Sequence, residues 1–349
     1  MEKMNLLVGA YNIEPFGNGE GLSLVSLDRK TGKLERNAVF PGCKNPSYLA
    51  KNGDYIYAVQ ELLEKGSTVS YRLNEERALQ KIGSMDAPGG LMCHLAVWPG
   101  GKFISASNYW TGNLSVFPVM KDGTLGKPVK DIQYSGHGPN KSRQEGPHTH
   151  SSTVDPSGKW LVVAELGIDQ IFLYRIDQET GTPIPAEVPA TTTPAGFGPR
   201  HCVFSMDGTH LYVTAELESH VLCYSFDASN GTLKLLQNLS ALPMSFSGEN
   251  LTADIQLSND GRFLYVSNRG HDSITAFAVG EDGLLQSCEW FSCGGQGPRH
   301  FRLIGEDLFL IANQISGNLV CFRRDPQTGA LKELCSEISL PSVVFSLPI

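Results

Sequence analysis

One hairpin turn recurs at intervals of about 50 residues along almost the whole chain, and a unit of that period buries its apolar faces only by stacking against copies of itself. The turn is marked by its glycine in Lys51-Asn52-Gly53-Asp54, Pro99-Gly100-Gly101-Lys102, Asp155-Pro156-Ser157-Gly158, Ser205-Met206-Asp207-Gly208, Ser258-Asn259-Asp260-Gly261 and, more weakly, Leu303-Ile304-Gly305-Glu306. A short β-branched or aromatic strand follows each, as in Phe263-Leu264-Tyr265-Val266-Ser267, and then a second strand such as Ser273-Ile274-Thr275-Ala276-Phe277. A second turn closes the unit with a polar cluster ending in Gly and usually Leu: Asp28 to Leu34, Asp122 to Leu125, Asp177 to Gly181, Asp227 to Leu233, Glu281 to Leu285 and Asp325 to Leu331, with a degenerate copy at Asn74 to Leu79.

Six first turns stand against seven second turns, so the first unit lacks its opening strand, while the C-terminus carries a spare one at Pro341-Ser342-Val343-Val344-Phe345-Ser346-Leu347. Pairing the two ends closes the array and removes its exposed edge. The expected fold is all-β: a seven-bladed β-propeller of four-stranded blades, one domain over residues 1–349, with the C-terminal strand completing the N-terminal blade. None of Trp98, Trp110, Trp160 and Trp290 is followed by Asp, and no Gly-Gly pair repeats once per unit, which disfavours WD40 and kelch arrays. A tandem β-sandwich or a β-helix does not repeat four strands every fifty residues.

Composition removes whole classes of function. Lys+Arg of 28 against Asp+Glu of 36 leaves −8, which repels a phosphate backbone, so no nucleic-acid partner is expected. No apolar run is long enough to span a bilayer, and Met1-Glu2-Lys3-Met4-Asn5 lacks the apolar stretch of a secretory signal, so the protein is expected to be cytoplasmic with no membrane partner. Eight cysteines are scattered without a Cys-x-x-Cys and are expected to act mostly as small buried residues. There is no Gly-x-Ser-x-Gly elbow, no phosphate loop and no Gly-x-Gly-x-x-Gly, which speaks against a serine hydrolase, a P-loop enzyme and a dinucleotide enzyme. No cofactor and no metal is expected.

In a propeller the start of strand one and the end of strand two meet on one rim. The first column reads Cys93-His94, Pro147-His148-Thr149-His150, Pro199-Arg200-His201, Leu251-Thr252-Ala253-Asp254 and Pro298-Arg299-His300. The second reads Gln60-Glu61, Asn108-Tyr109, Glu165-Leu166, Ala215-Glu216, Asn268-Arg269 and Asn313-Gln314. The hexapeptide Gly196-Phe197-Gly198-Pro199-Arg200-His201 returns as Gly295-Gln296-Gly297-Pro298-Arg299-His300. Its glycines and proline shape a link between blades, as the truncated copy Gly136-His137-Gly138-Pro139 suggests, but a guanidinium near the axis needs a carboxylate, a carbonyl or an anionic ligand. Glu216 reads either as an ion pair with Arg200 or Arg269 or as a general base. His148-x-His150 has the spacing of two metal ligands on one strand face, without a third nearby. Glu61, Asn108, Glu165, Asn268 and Asn313 read first as hydrogen-bonding supports.

Gly-Pro-His-x-His, the two Gly-Pro-Arg-His motifs, Ala215-Glu216-Leu217, Ser267-Asn268-Arg269 and the recurring Asp-Gly-Arg-Phe-Leu-Tyr-Val type of hairpin together resemble the seven-bladed propeller lactonase family, which includes bacterial 6-phosphogluconolactonases and fungal carboxy-muconate lactonizing enzymes. The resemblance covers essentially the whole chain. It implies hydrolysis of a sugar lactone, 6-phospho-glucono-δ-lactone first, in the pentose phosphate pathway, with the family's rim His on His148, its arginines on Arg200 and Arg269, and its rim carboxylate on Glu216. Those four are the expected catalytic residues, with Glu216 or His148 activating water and the arginines stabilising the oxyanion. His201, Arg299, His300, His94 and Asn268 are the expected substrate contacts, Arg299 and His300 holding a phosphate or carboxylate. Reversible lactonization of a carboxylated muconate and a non-enzymatic interaction propeller are the alternative readings.

Overall fold

A computed structural model of the protein describes residues 3–74 and 78–349. The centre of the degenerate second turn, residues 75–77, and the first two residues of the N-terminal stretch lie outside the described residues. Among the described residues the strands form seven sheets of four, every neighbouring pair given a register being antiparallel. The chain divides into two compact units: Met1–Ser47, Ser219–Val221 and Leu239–Ile349, and Tyr48–Glu218 with Leu222–Asn238.

In the first unit, the C-terminal strand Val343–Pro348 is the opening strand of the blade that continues through Lys3–Ala10, Leu22–Asp28 and Leu34–Phe40. Leu6 stands opposite Pro348 and Gly9 opposite Phe345, so the two ends of the chain are hydrogen-bonded into one sheet, as the count of turns requires. Leu251–Leu257 to Leu285–Ser292 and Pro298–Ile304 to Leu331–Ser339 form the other two blades of this unit. The second unit carries the body of the remaining four, opening with Leu49–Asn52, Met92–Val97, Thr149–Val154 and Pro199–Phe204.

The sequence enforces this through its two turns. In the second turn an Asp side chain caps the backbone two and three residues on: Asp28 accepts from Lys30 N and Thr31 N, both at 3.0 Å, and Asp177 from Glu179 N and Thr180 N at 3.0 and 3.3 Å. The glycine that follows has a second duty at Gly231, where φ is 71° and a Cβ would lie 2.3 Å from the Trp160 ring. Trp160 opens the second strand of the preceding blade and donates from Nε1 to the Ala228 carbonyl at 2.9 Å. The turn of one blade thus packs on an aromatic of the last. The inner strands are buried on both faces, as in Ile56, Tyr57, Ala58 and Val59, all at 0% exposure, while outer strands such as Leu331–Ser339 face solvent.

Cys43, Cys93, Cys223, Cys293 and Cys321 are buried, as read from the sequence, and Cys202, Cys288 and Cys335 are half-buried. Among the described residues no helix is long and apolar enough to cross a membrane.

Candidate active site

The opening strands share a defect that sets their side chains. Pairing jumps from Met92 opposite Asn108 to His94 opposite Ser107, and from Thr149 opposite Glu165 to Ser151 opposite Ala164, leaving Cys93 and His150 as extra residues. In the next blade Arg200 and His201 lie between Pro199, opposite Ala215, and Cys202, opposite Val213. The Thr214 hydroxyl fastens this bulge, accepting from His201 N at 3.2 Å. A bulge re-aims consecutive side chains that a regular strand sends to opposite faces. The first unit repeats the device at Ala253-Asp254, where Ser267 Oγ accepts from Asp254 N at 3.0 Å, and at Arg299.

In the second unit these bulges gather a cluster around Glu216, which is 2% exposed. Arg200 Nη1 donates to Glu216 Oε2 at 2.5 Å and contacts His150 Nε2 at 2.6 Å. That imidazole nitrogen therefore serves as acceptor. Arg143 Nη2 donates to the other carboxylate oxygen, Oε1, at 2.5 Å, and lies 3.4 Å from the Tyr109 hydroxyl. One buried carboxylate is thus gripped by two guanidinium groups. The Arg200 side chain is 4% exposed and that of Arg143 33%, so Arg143 is the cation presented to an incoming ligand. Burial pushes the Tyr109 phenol up, so the oxygen facing Arg143 belongs to a neutral hydroxyl.

Imidazole and phenol rings fill the remaining space. His148 stacks on Tyr109, centroids 4.5 Å apart and planes 11° apart, and its Nδ1 lies 3.0 Å from the Tyr109 carbonyl. A carbonyl only accepts, so Nδ1 carries a proton committed to that bond, and Nε2 is the nitrogen turned to the open side. Glu145, about half exposed, sits 3.2 Å from Nε2. His201 lies edge-on to His150 at 5.2 Å and to His94 at 5.5 Å, and His94 packs on Tyr48 at 4.2 Å. The structure therefore brings His148, Arg200, His201, Glu216 and His94 into one neighbourhood.

The other expected residues lie in the first unit. Arg269, half-buried, donates to the Thr252 carbonyl at 3.1 Å, and Arg299 lies over the Tyr11 ring at 5.4 Å. His300 is buried beside a carboxylate. Its ring packs on Phe345 at 4.1 Å and its Nε2 faces the Asp254 carboxylate at 3.7 Å. Asn268 is held in its blade: its buried amide donates to Ser273 Oγ, Thr275 Oγ1 and the Ala241 carbonyl and accepts from Asn250.

Sequence reasoning missed Arg143, which belongs to neither strand column. Its one signal is the length of its segment, since the link from Lys130–Gln133 to Thr149–Val154 is the longest between blades. Tyr109 stood in a column but carried no assigned role.

Glu165 takes the second-column place that Asn108 fills in the preceding blade, yet it is a fully buried carboxyl. Oε2 accepts from Ile168 N at 2.9 Å, capping the turn Leu166–Ile168, while Oε1 has no hydrogen-bond partner among the described residues. Burial, with the nearby Asp169 charge, pushes this carboxyl up to about 8 against the N–H groups of Ile168, His148 and Gly167. Between the ordinary carboxylate range and about 8 the folded chain holds a proton that the unfolded chain has released, so this group lowers stability as pH rises through that window. Glu165→Gln is expected to melt a few degrees above wild type at pH 8 and level with it at pH 4. A melting difference that does not change with pH would show Glu165 to be ionised in the fold.

Comparison with known proteins adds three findings. Residues 5–347 match the family described as "Lactonase, 7-bladed beta-propeller". The chain is 33% identical over 343 residues to a 6-phosphogluconolactonase of Bacillus subtilis, 97% of each chain, and 32% identical over 330 residues to one of Formosa agariphila, 92% of this chain and 93% of that one. Among solved structures, the periplasmic gluconolactonase PpgL of Pseudomonas aeruginosa superposes with a TM-score of 0.92 at 32% identity, covering 100% of this chain and 99% of that one.

Proposed function

The chain belongs to the seven-bladed β-propeller lactonase family, and from that premise we propose that it hydrolyses a sugar lactone, with 6-phospho-glucono-δ-lactone, opening to 6-phosphogluconate, as the first candidate. The names of the similar proteins support this substrate class, since two are 6-phosphogluconolactonases and one is a gluconolactonase. The observation that carries the reading is the buried Glu216 carboxylate clamped by Arg200 and Arg143, with His148 beside it on the Tyr109 ring. We read the whole chain as one seven-bladed domain that acts in the cytoplasm, in the pathway that consumes 6-phosphogluconate, and the reaction as one that needs no metal.

The chemistry is water attack on the lactone carbonyl. His148 Nε2 takes the proton of the attacking water once a substrate turns the exposed Glu145 aside. Charge develops on the carbonyl oxygen, and the partly exposed Arg143 guanidinium donates to it, with Arg200 behind it fixing the shared carboxylate. The tetrahedral adduct collapses by breaking the bond from carbonyl carbon to ring oxygen. The proton held by His148 passes to that oxygen, leaving a hydroxyl and a carboxylic acid that ionises. Glu216 makes a poor base here, because two guanidinium groups stabilise its charged form. Sugar δ-lactones open slowly in water unaided, so base catalysis and a preorganised cation suffice without a covalent nucleophile.

The test is pH-stat hydrolysis of freshly made 6-phospho-glucono-δ-lactone, with gluconolactone and an enzyme-free blank alongside. Acceleration of the phosphorylated lactone above both is the expected result. Faster turnover of gluconolactone would move the substrate to a neutral sugar, and no acceleration of either would remove the sugar-lactone reading.

A further inference from the structure

Asp169 is a buried carboxylate that no step above uses. It is 4% exposed, ends the turn Leu166–Ile168 and sits at φ 55°, a left-handed conformation that Asp adopts more readily than most residues. Its side chain accepts three hydrogen bonds. Oδ2 accepts from Gly196 N at 2.7 Å, and Oδ1 from Gly198 N at 2.8 Å and from Gln144 Nε2 at 2.7 Å. The two glycines open the hexapeptide that ends in Arg200-His201. Gln144, fully buried, is the residue after Arg143.

We propose that Asp169 is a positioning residue for the lactonase site, one carboxylate fixing the places of both guanidinium groups that hold Glu216. The hydrogen bonds trace both arms. One runs from Asp169 through Gly198 N and Pro199 to Arg200. The other runs through the Gln144 side chain to the segment carrying Arg143, which is folded on itself by Arg143 N and Gln144 N donating to the Asn140 carbonyl at 3.2 and 2.7 Å and by Gly138 N donating to the Gln144 carbonyl at 3.0 Å. Gln144 Nε2 also donates to the Leu166 carbonyl at 2.9 Å, and Leu166 N to the His148 carbonyl at 3.1 Å, so the same turn reaches the proposed base.

The repeat supplies an internal comparison. Three blades place a non-glycine residue with positive φ at this turn: Asp169 at 55°, Ser219 at 56° and Asp272 at 55°. After each Asp, the next blade opens with Gly-x-Gly-Pro-Arg-His, and in both cases the carboxylate accepts from the second glycine of the motif, Asp272 from Gly297 N at 2.8 Å. After Ser219 the next blade opens with Leu251-Thr252-Ala253-Asp254 instead. The Asp is thus the partner of the motif's glycines, and Asp169 alone of the three adds a bond to a second arginine-bearing segment. A 1 Å displacement of a positioned group costs up to about a hundredfold in rate.

The proposal rests on the lactonase reading, so its test carries one readout that needs no substrate. Asp169→Asn keeps size and left-handed preference but offers one carbonyl oxygen to three donors, and Gln144→Ala cuts the Arg143 arm alone. In the whole protein, assayed well below its melting temperature, Asp169→Asn is expected to lower kcat about thirtyfold with KM within about threefold. Gln144→Ala is expected to lower kcat less, and the double variant to match Asp169→Asn, because the two share a bond. Hydrogen exchange of the folded variant should quicken at segments 138–145 and 196–201. Unchanged kcat with a lowered melting temperature, or effects of the two substitutions that simply multiply, would make Asp169 a stability residue and overturn the proposal. Unchanged exchange at both segments overturns it as well. If wild type hydrolyses no lactone, the functional reading fails, and the exchange result alone decides whether Asp169 holds the two arms.

Discussion

Arg200→Ala is expected to lower kcat for the lactone by about a hundredfold, the scale of misplacing the Arg143 guanidinium that meets the developing oxyanion. The loss has two sources. Arg200 Nη1 donates to Glu216 and meets His150 Nε2, so truncation takes from the 2%-exposed carboxylate one of its two guanidinium contacts and from the imidazole its contact with Arg200. Removing one partner of a buried ion pair costs about 3 to 5 kcal/mol of stability. Because Arg143 remains, the lower end is expected here. Arg200→Lys should restore little, since a compact ammonium lacks the planar fork that spans both partners. The sharper check is the double variant. Adding Glu216→Gln to Arg200→Ala removes the stranded charge and should raise the melting temperature above that of Arg200→Ala, without returning activity. Wild-type kcat in Arg200→Ala would remove the arginine from the reaction, and no recovery of melting temperature in the double variant would mean that the charge was never stranded.

How far the sequence reached follows from what each feature depends on. Turns are local, and an Asp capping the N–H groups two and three residues ahead, as Asp28 and Asp177 do, writes itself into a few letters. The seven blades and their closure by Val343–Pro348 were therefore legible from the count of turns. Arg200 and Glu216 were legible because charged residues at the inner ends of buried strands are costly without a partner. Bulges were not legible. Whether Arg200 and His201 share a side depends on a register slip opposite Thr214, and register is a property of two strands. Arg143 was lost for a related reason. It lies among Asn140-Lys141-Ser142-Arg143-Gln144-Glu145, where nothing local separates the one guanidinium that reaches Glu216 from a solvated loop. For Asn268 a polar column alone does not separate a substrate contact from an amide that caps its own blade. Asp169 sits on neither column and shows its use only through the bonds it receives.

The same geometry separates the two candidate bases, and His148→Ala tests the separation. Its kcat is expected to fall by about a hundred- to ten-thousandfold, with KM nearly unchanged, since the ring moves a proton and does not grip the substrate. The argument runs through the fixed side of the imidazole. Nδ1 is committed to the Tyr109 carbonyl at 3.0 Å and the ring is clamped on the Tyr109 face, so Nε2 is the nitrogen that exchanges a proton, and the half-exposed Glu145 stands before it. Glu216 lacks that freedom, because a proton added there must displace an arginine from one of two 2.5 Å contacts. Added imidazole should therefore restore part of the activity of His148→Ala, by entering the space the ring leaves against Tyr109. It should restore none to Glu216→Gln, whose defect is the loosened pair of arginines. Rescue of neither variant, with a larger loss in Glu216→Gln than in His148→Ala, would give the proton to the carboxylate and make His148 the residue that orients the water.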